Sequence, residues 1–132
     1  MIVDSSAIVA ILGHEDDVDS LAEALVEAPI RRLSAVNYVE TAIVIDSRRD
    51  PVLSRGLDDF LREAQIKIEG VTPEQARLAR EAYRDFGKGR RRAGLNFGDC
   101  FAYALAKAMG EPLLFKGEDF RHTDITSALP PS

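Results

Sequence analysis

The chain has 132 residues, of which 45% are hydrophobic and 30% charged, an ordinary globular balance that excludes wholesale disorder. Its formal net charge of −5, from 22 acids against 17 bases, argues against a uniformly basic nucleic-acid binder. One cysteine, Cys100, and two histidines, His14 and His122, exclude a disulfide framework, a cysteine zinc site and a histidine-rich metal centre. The length predicts a single domain over 1–132. The apolar stretch Ser5–Gly13 is too short to span a bilayer and lacks a basic leader before it, so a cytoplasmic protein with no membrane partner is expected.

Met1–Val3 reads as a short strand, and Ser5–Leu12 as a helix opened by two hydroxyl residues. Glu15–Ala28 has helical spacing at Val18, Leu21, Ala22, Leu25 and Val26, and Pro29 ends it. Ile30–Ser34 predicts a second strand. Val36–Arg48 predicts a helix with Val36, Val39, Ile43 and Val44 on one face, and Pro51–Ala64 another with Val52, Leu53, Leu57, Phe60 and Leu61 inward. Ile66–Val71 alternates as a strand does. Thr72-Pro73 then caps a helix running to about Phe86. Gly87–Gly94 is a Gly- and Arg-rich loop, and Asn96 or Phe97 opens a helix that Gly110 closes after Met109. Leu113–Phe115 is a short buried strand, and Asp124-Ile125 a further strand end. Strands alternating with helices predict an α/β domain whose short, mainly parallel sheet is flanked by helices. In such sheets ligands bind beyond the carboxyl ends of the strands.

Most acids lie among polar neighbours on helix surfaces. Four do not: Asp4 directly follows Met-Ile-Val, Glu40 and Asp99 sit in apolar helical text, and Asp119 follows Leu-Leu-Phe-Lys-Gly-Glu. Burying several carboxylates together is costly unless each finds its own partner or all share a cation. Oxygen ligands without His or Cys select Mg2+ or Mn2+ over zinc. Each acid alone also has a purely structural account: Asp99 and Asp4 as helix caps, Glu40 as an exposed helical residue. Two of the four following short apolar strands favours the shared cation.

These residues resemble the PIN-domain ribonucleases, and within them the VapC toxins of type II toxin–antitoxin pairs. The resemblance rests on Met1–Leu12, on Asn37-Tyr38-Val39-Glu40, on Leu95–Ala106 with Asn96-Phe97-Gly98-Asp99, and on Leu113–Phe120 followed by Thr123-Asp124-Ile125. It spans the whole chain in order and implies a PIN-like three-layer fold. It also implies an endoribonuclease in which Asp4, Glu40, Asp99 and Asp119 are catalytic and bind Mg2+, with Mn2+ as a substitute. Asp4 and Asp99 would be direct ligands, Glu40 would complete the site, Glu118 would compete with Asp119, and Ser6 would support the Asp4 loop. Carboxylate-bound Mg2+ would activate water to hydrolyse an RNA phosphodiester, leaving 5′-phosphate and 3′-hydroxyl ends. A small antitoxin and a second copy of the chain are the implied partners, with Val36–Ile45 and Pro51–Leu61 as candidate surfaces besides their role in core packing.

Seven basic residues fall between 77 and 92 against Glu81 and Asp85, a local +5 that leaves −10 for the remainder. Lys88, Arg90, Arg91 and Arg92 are candidate phosphate contacts. Arg77, Arg80 and Arg84 fit either that role or a solvated helix face. Three other functions are worth testing against this pattern. A phosphatase with an Asp nucleophile needs a second acid where Ser6 stands, and a phospho-receiver domain needs an acceptor Asp where Val71-Thr72 stands. A non-catalytic PIN-like module that binds RNA or protein would not need the intact acids.

Overall fold

A computed structural model describes residues 1–87, 89 and 94–130. Four strands, β1 (Ile2–Val3), β2 (Arg31–Ser34), β3 (Ile66–Glu69) and β4 (Leu113–Leu114), form one parallel sheet in the order β3-β2-β1-β4. Six helices accompany it among the described residues: α1 (Ser5–Leu12), α2 (Asp19–Glu27), α3 (Ala35–Ser47), α4 (Pro51–Glu63), α5 (Pro73–Phe86) and α6 (Phe97–Met109). The α/β class and the parallel sheet between helices are as the sequence predicts. None of these helices is long and apolar enough to cross a membrane.

The two-residue period of a strand builds both faces of the core. Ile2 and Leu113 join one cluster with Ala79 and Ala82 of α5 and Ala102, Leu105 and Ala106 of α6. Val3, Leu33 and Leu114 join the other with Ala7 and Ile8 of α1, Leu21 and Leu25 of α2, and Leu57 and Leu61 of α4. Arg31 fastens the second layer, its guanidinium donating to the carbonyls of Leu25, Val26 and Ala64 at the ends of α2 and α4. Strand order runs outward from β1 to β3 and then returns to place β4 on the other side of β1. The chain therefore changes direction at β1, and a crevice opens beyond the carboxyl ends of β1 and β4.

Four expectations fail, each for a local reason. Helix α2 starts at Asp19, four residues after the predicted start, because His14 (φ 50°) and Asp17 (φ 62°) turn through the left-handed region. On α3 the buried residues are Asn37, Thr41 and Ile45, whereas Val39 and Ile43 are 53% and 63% exposed, so the predicted apolar face points outward. Val52 on α4 and Ile68 on β3 are likewise exposed, the first in the opening turn of its helix and the second on an edge strand. Asp124-Ile125 is not a strand end. Ser127 bridges to Leu113 instead, and Asp124 is held by Tyr103 Oη at 2.6 Å and Lys107 Nζ at 2.7 Å.

Candidate active site

The carboxyl end of β1 delivers Asp4 directly into the N-cap of α1. Its Oδ2 accepts from the backbone N–H of Ser6 at 3.0 Å and from Ser6 Oγ at 2.6 Å. That hydroxyl also accepts from the backbone N–H of Lys116 at 3.0 Å, joining the exit of β1 to the exit of β4. The other oxygen, Oδ1, is buried and has no hydrogen-bond partner.

Asp99 occupies the third position of α6 and makes a reciprocal capping box with Asn96. Its Oδ2 accepts from the Asn96 N–H at 3.1 Å, and Asn96 Oδ1 accepts from the Asp99 N–H at 2.9 Å. Asp99 thus has a structural role as a cap and lies in the same cleft as Asp4. Glu40, on the second turn of α3, is held by Ser5 Oγ at 2.6 Å and Asn37 Nδ2 at 3.3 Å. Asn37 also donates to the Gly98 carbonyl at 3.0 Å, which ties α3 to the start of α6. Gly98 leaves the room this needs, since a Cβ there would fall inside the Glu40 carboxylate. Asp119, exposed after β4, lies close enough to Asp99 for its charge to act on that carboxyl. Its neighbour Glu118 turns away to pair with Arg121 at 3.1 Å.

Asp4, Glu40, Asp99 and Asp119 therefore line one cleft of about 380 Å³, along with Glu15, Lys116 and Ser6. Burial raises the Asp4 carboxyl to about 6, against the Ser6 hydrogen bonds that lower it, and the Glu40 charge adds to the rise. Burial likewise raises Asp99 to about 7, with the charges of Asp4 and Asp119 pushing in the same direction. These are acids short of positive charge. Among the described residues, however, no three acidic, histidine or cysteine side chains gather tightly enough to hold a metal ion as they stand.

His14 and His122 are exposed, as are Arg77, Arg80 and Arg84. Lys88, Arg90, Arg91 and Arg92 lie outside the described residues. The residues that sequence reasoning missed are Ser5, Asn37, Asn96 and Gly98. Only Asn96 carried a readable signal, its three-residue spacing to Asp99 being that of a helix-capping pair.

The PIN domain family's sequence pattern matches residues 1–125. The chain is 59% identical over 130 residues to ribonuclease VapC28 of Mycobacterium tuberculosis, covering 98% of each chain. It is 53% identical over 127 residues to a ribonuclease VapC of Mycolicibacterium smegmatis, covering 96% of this chain and 98% of that one. In fold it is similar to the crystal structure of Mycobacterium tuberculosis VapC20, a sarcin–ricin loop cleaving toxin. The TM-score is 0.77 over 98% of each chain, at 19% identity.

Proposed function

Because the chain belongs to the PIN-domain family, among the VapC ribonucleases, we propose that it cleaves RNA as the toxin of a toxin–antitoxin pair. The reaction is metal-dependent hydrolysis of a phosphodiester within the strand. One observation carries this reading: a buried Asp4 oxygen without a hydrogen-bond partner, in a cleft that four further carboxylates line. Such a donor set is all oxygen and suits Mg2+ or Mn2+. Asp4 and Asp99 would hold the ion with Glu40 and Asp119, and the carboxylates would close on it as it binds. When bound, the ion would lower the pKa of a water and neutralise charge on the scissile phosphate.

The chain's own residues hold and orient. Ser6 fixes Asp4, Ser5 and Asn37 fix Glu40, and Asn96 fixes Asp99. Both serine hydroxyls donate to carboxylates and both histidines lie on the surface, so water rather than a side chain is the attacking group. The same reading supplies partners: a small antitoxin that covers the acidic cleft, and a second copy of the chain against the exposed apolar face of α3. Its setting is the cytoplasm, where RNA is at hand and the lone buried Cys100 stays reduced.

Purified protein is expected to cleave RNA with Mg2+ or Mn2+ and to stop in EDTA. Asp4→Asn or Asp99→Asn should each lower the rate by about 10²-fold or more while the circular dichroism spectrum holds. Cleavage that survives EDTA, or full activity in both variants, overturns the reading.

A further inference from the structure

Five carboxylates line the cleft, and among the described residues Lys116 is its one basic side chain. Its two ends are held separately. The backbone N–H donates to Ser6 Oγ, the hydroxyl that also binds Asp4, so the main chain of Lys116 is set in register with the Asp4 carboxylate. The ammonium reaches across to the turn between α1 and α2, where it donates to Glu15 Oε1 at 2.9 Å and to the Asp16 carbonyl at 3.2 Å. The side chain thus lies along one end of the cleft, anchored beside Asp4 at its base and tethered to Glu15 at its tip.

The tether is weak. Side-chain exposure is 36% at Lys116 and 42% at Glu15, and an ion pair in that much water adds little to folding. A phosphate oxygen offers the same ammonium a charge-assisted hydrogen bond without desolvating a second protein charge. A polyanionic strand in this cleft needs such a partner, because a cation held among Asp4, Glu40, Asp99 and Asp119 offsets charge only near the scissile position. Glu15, meanwhile, repels the strand and competes for the one basic group that the described residues place in the lining.

We propose that Lys116 is a substrate-positioning residue that leaves Glu15 to bind a phosphate of the RNA strand next to the one being cleaved. Glu15 acts as the competitor that holds it in reserve. This rests on the RNA-cleaving reading above and adds the residue that registers the strand. The rival account makes Lys116 a strap that stiffens the turn at His14–Asp17. In that case Lys116 and Glu15 contribute to one function, and losing either has the same effect.

The test uses the full chain as wild type, Lys116→Gln, Lys116→Arg, Glu15→Gln and the Glu15→Gln/Lys116→Gln double variant. Binding of a dye-labelled, phosphorothioate-linked single-stranded RNA is followed by anisotropy across a salt series in Mg2+, and cleavage of the unmodified strand is followed in parallel. Lys116→Gln is expected to raise Kd and KM by about tenfold, to leave kcat within about twofold, and to flatten the salt slope by about 0.7. Lys116→Arg keeps most of the binding. Glu15→Gln moves the other way, lowering Kd, and that gain shrinks or vanishes in the double variant because the ammonium it frees is gone.

Loss of binding in both single variants, with a lowered melting temperature and an unchanged salt slope, overturns the proposal in favour of the strap. A Glu15→Gln gain that persists in full without Lys116 overturns it in favour of simple charge removal. If wild type cleaves RNA and the Lys116 variants do so equally well, the inference falls and the ribonuclease reading stands. If the Lys116 pattern appears in binding but no metal supports cleavage, the ribonuclease reading falls and the phosphate contact stands. If RNA is neither bound nor cleaved, both fall.

Discussion

At Asp4 two demands pull the charge in opposite directions. As the N-cap of α1 it is stabilised as an anion, accepting two hydrogen bonds from Ser6. Burial and the neighbouring Glu40 oppose that anion and win, raising the carboxyl from 3.8 to about 6. Between these values the folded chain holds a proton that the unfolded chain has released, so stability from this group falls as pH rises. The loss is complete above about pH 6 and is on the order of 3 kcal/mol. Asp99, raised by burial and by the charges of Asp4 and Asp119, acts in the same direction. The proposed divalent cation would reverse the balance by favouring the anions. In EDTA the melting temperature is therefore expected to fall between about pH 5 and about pH 8. Added Mg2+ should raise it more at the upper pH than at the lower. Asp4→Asn should raise the metal-free melting temperature at the upper pH and remove most of the Mg2+ increment. An increment of unchanged size in that variant would show that the ion binds elsewhere.

Among the elements, the contact between α3 and α6 is where packing and site geometry meet. Gly98 lets the first turn of α6 approach Glu40, and Asn37 joins the two helices through its amide. Gly98→Ala is expected to cost about 1–3 kcal/mol in chemical denaturation and to displace Glu40, lowering cleavage. Gly56 on α4 is the control, since a Cβ there meets nothing within 4 Å. Gly56→Ala should add about 0.5–1 kcal/mol with cleavage unchanged. Equal effects at the two glycines would remove the special role of the α3–α6 approach. The same contact marks the limit of what the sequence carries. Helix α5 was legible to the residue, because Thr72 and Pro73 open it and the sign is local. Asp4, Glu40, Asp99 and Asp119 were legible as acids in apolar surroundings, and all four line the cleft. Ser5, Asn37 and Gly98 were not, because their meaning is a contact between α1, α3 and α6, segments far apart in the chain. The outward apolar stripe of α3 misled for a related reason. Periodicity shows that a helix has two faces, but the inner one here must hold Glu40, so it took Asn37 and Thr41 and left Val39 and Ile43 outside.

For the molecule as a whole, that reversal sets two unlike surfaces side by side. One is the acidic cleft. The other is an apolar cavity of about 630 Å³ lined by Val36, Val39, Ile43, Val44 and Phe97, with Phe97 72% exposed. Glu40 borders both. The net charge of −5 is unevenly spread, with +5 over residues 77–92 and −10 elsewhere, yet among the described residues no charged one other than Glu40 interrupts the apolar lining. An exposed apolar surface of this kind favours association by removing Val39, Ile43 and Phe97 from water, each of them large and more than half exposed. It also has the aromatic and aliphatic make-up of an interface centre. The proposed homodimer follows from covering this face, and its most sensitive position is Ile43, 63% exposed in the middle of the stripe. Light scattering should find wild type at twice the 14.5 kDa chain mass. Ile43→Asp should fall toward one chain mass, since each copy would then carry an unpaired carboxylate into a desolvated interface. Because Ile43 is exposed in the single chain, the substitution leaves both core clusters intact, and the melting temperature of the monomer separates dissociation from unfolding. A wild type that stays at one chain mass across the concentration range, or an Ile43→Asp variant that keeps the doubled mass, would move the second copy to another face. It would leave the α3 stripe to the proposed antitoxin, whose cover there would border Glu40 and with it the acidic cleft.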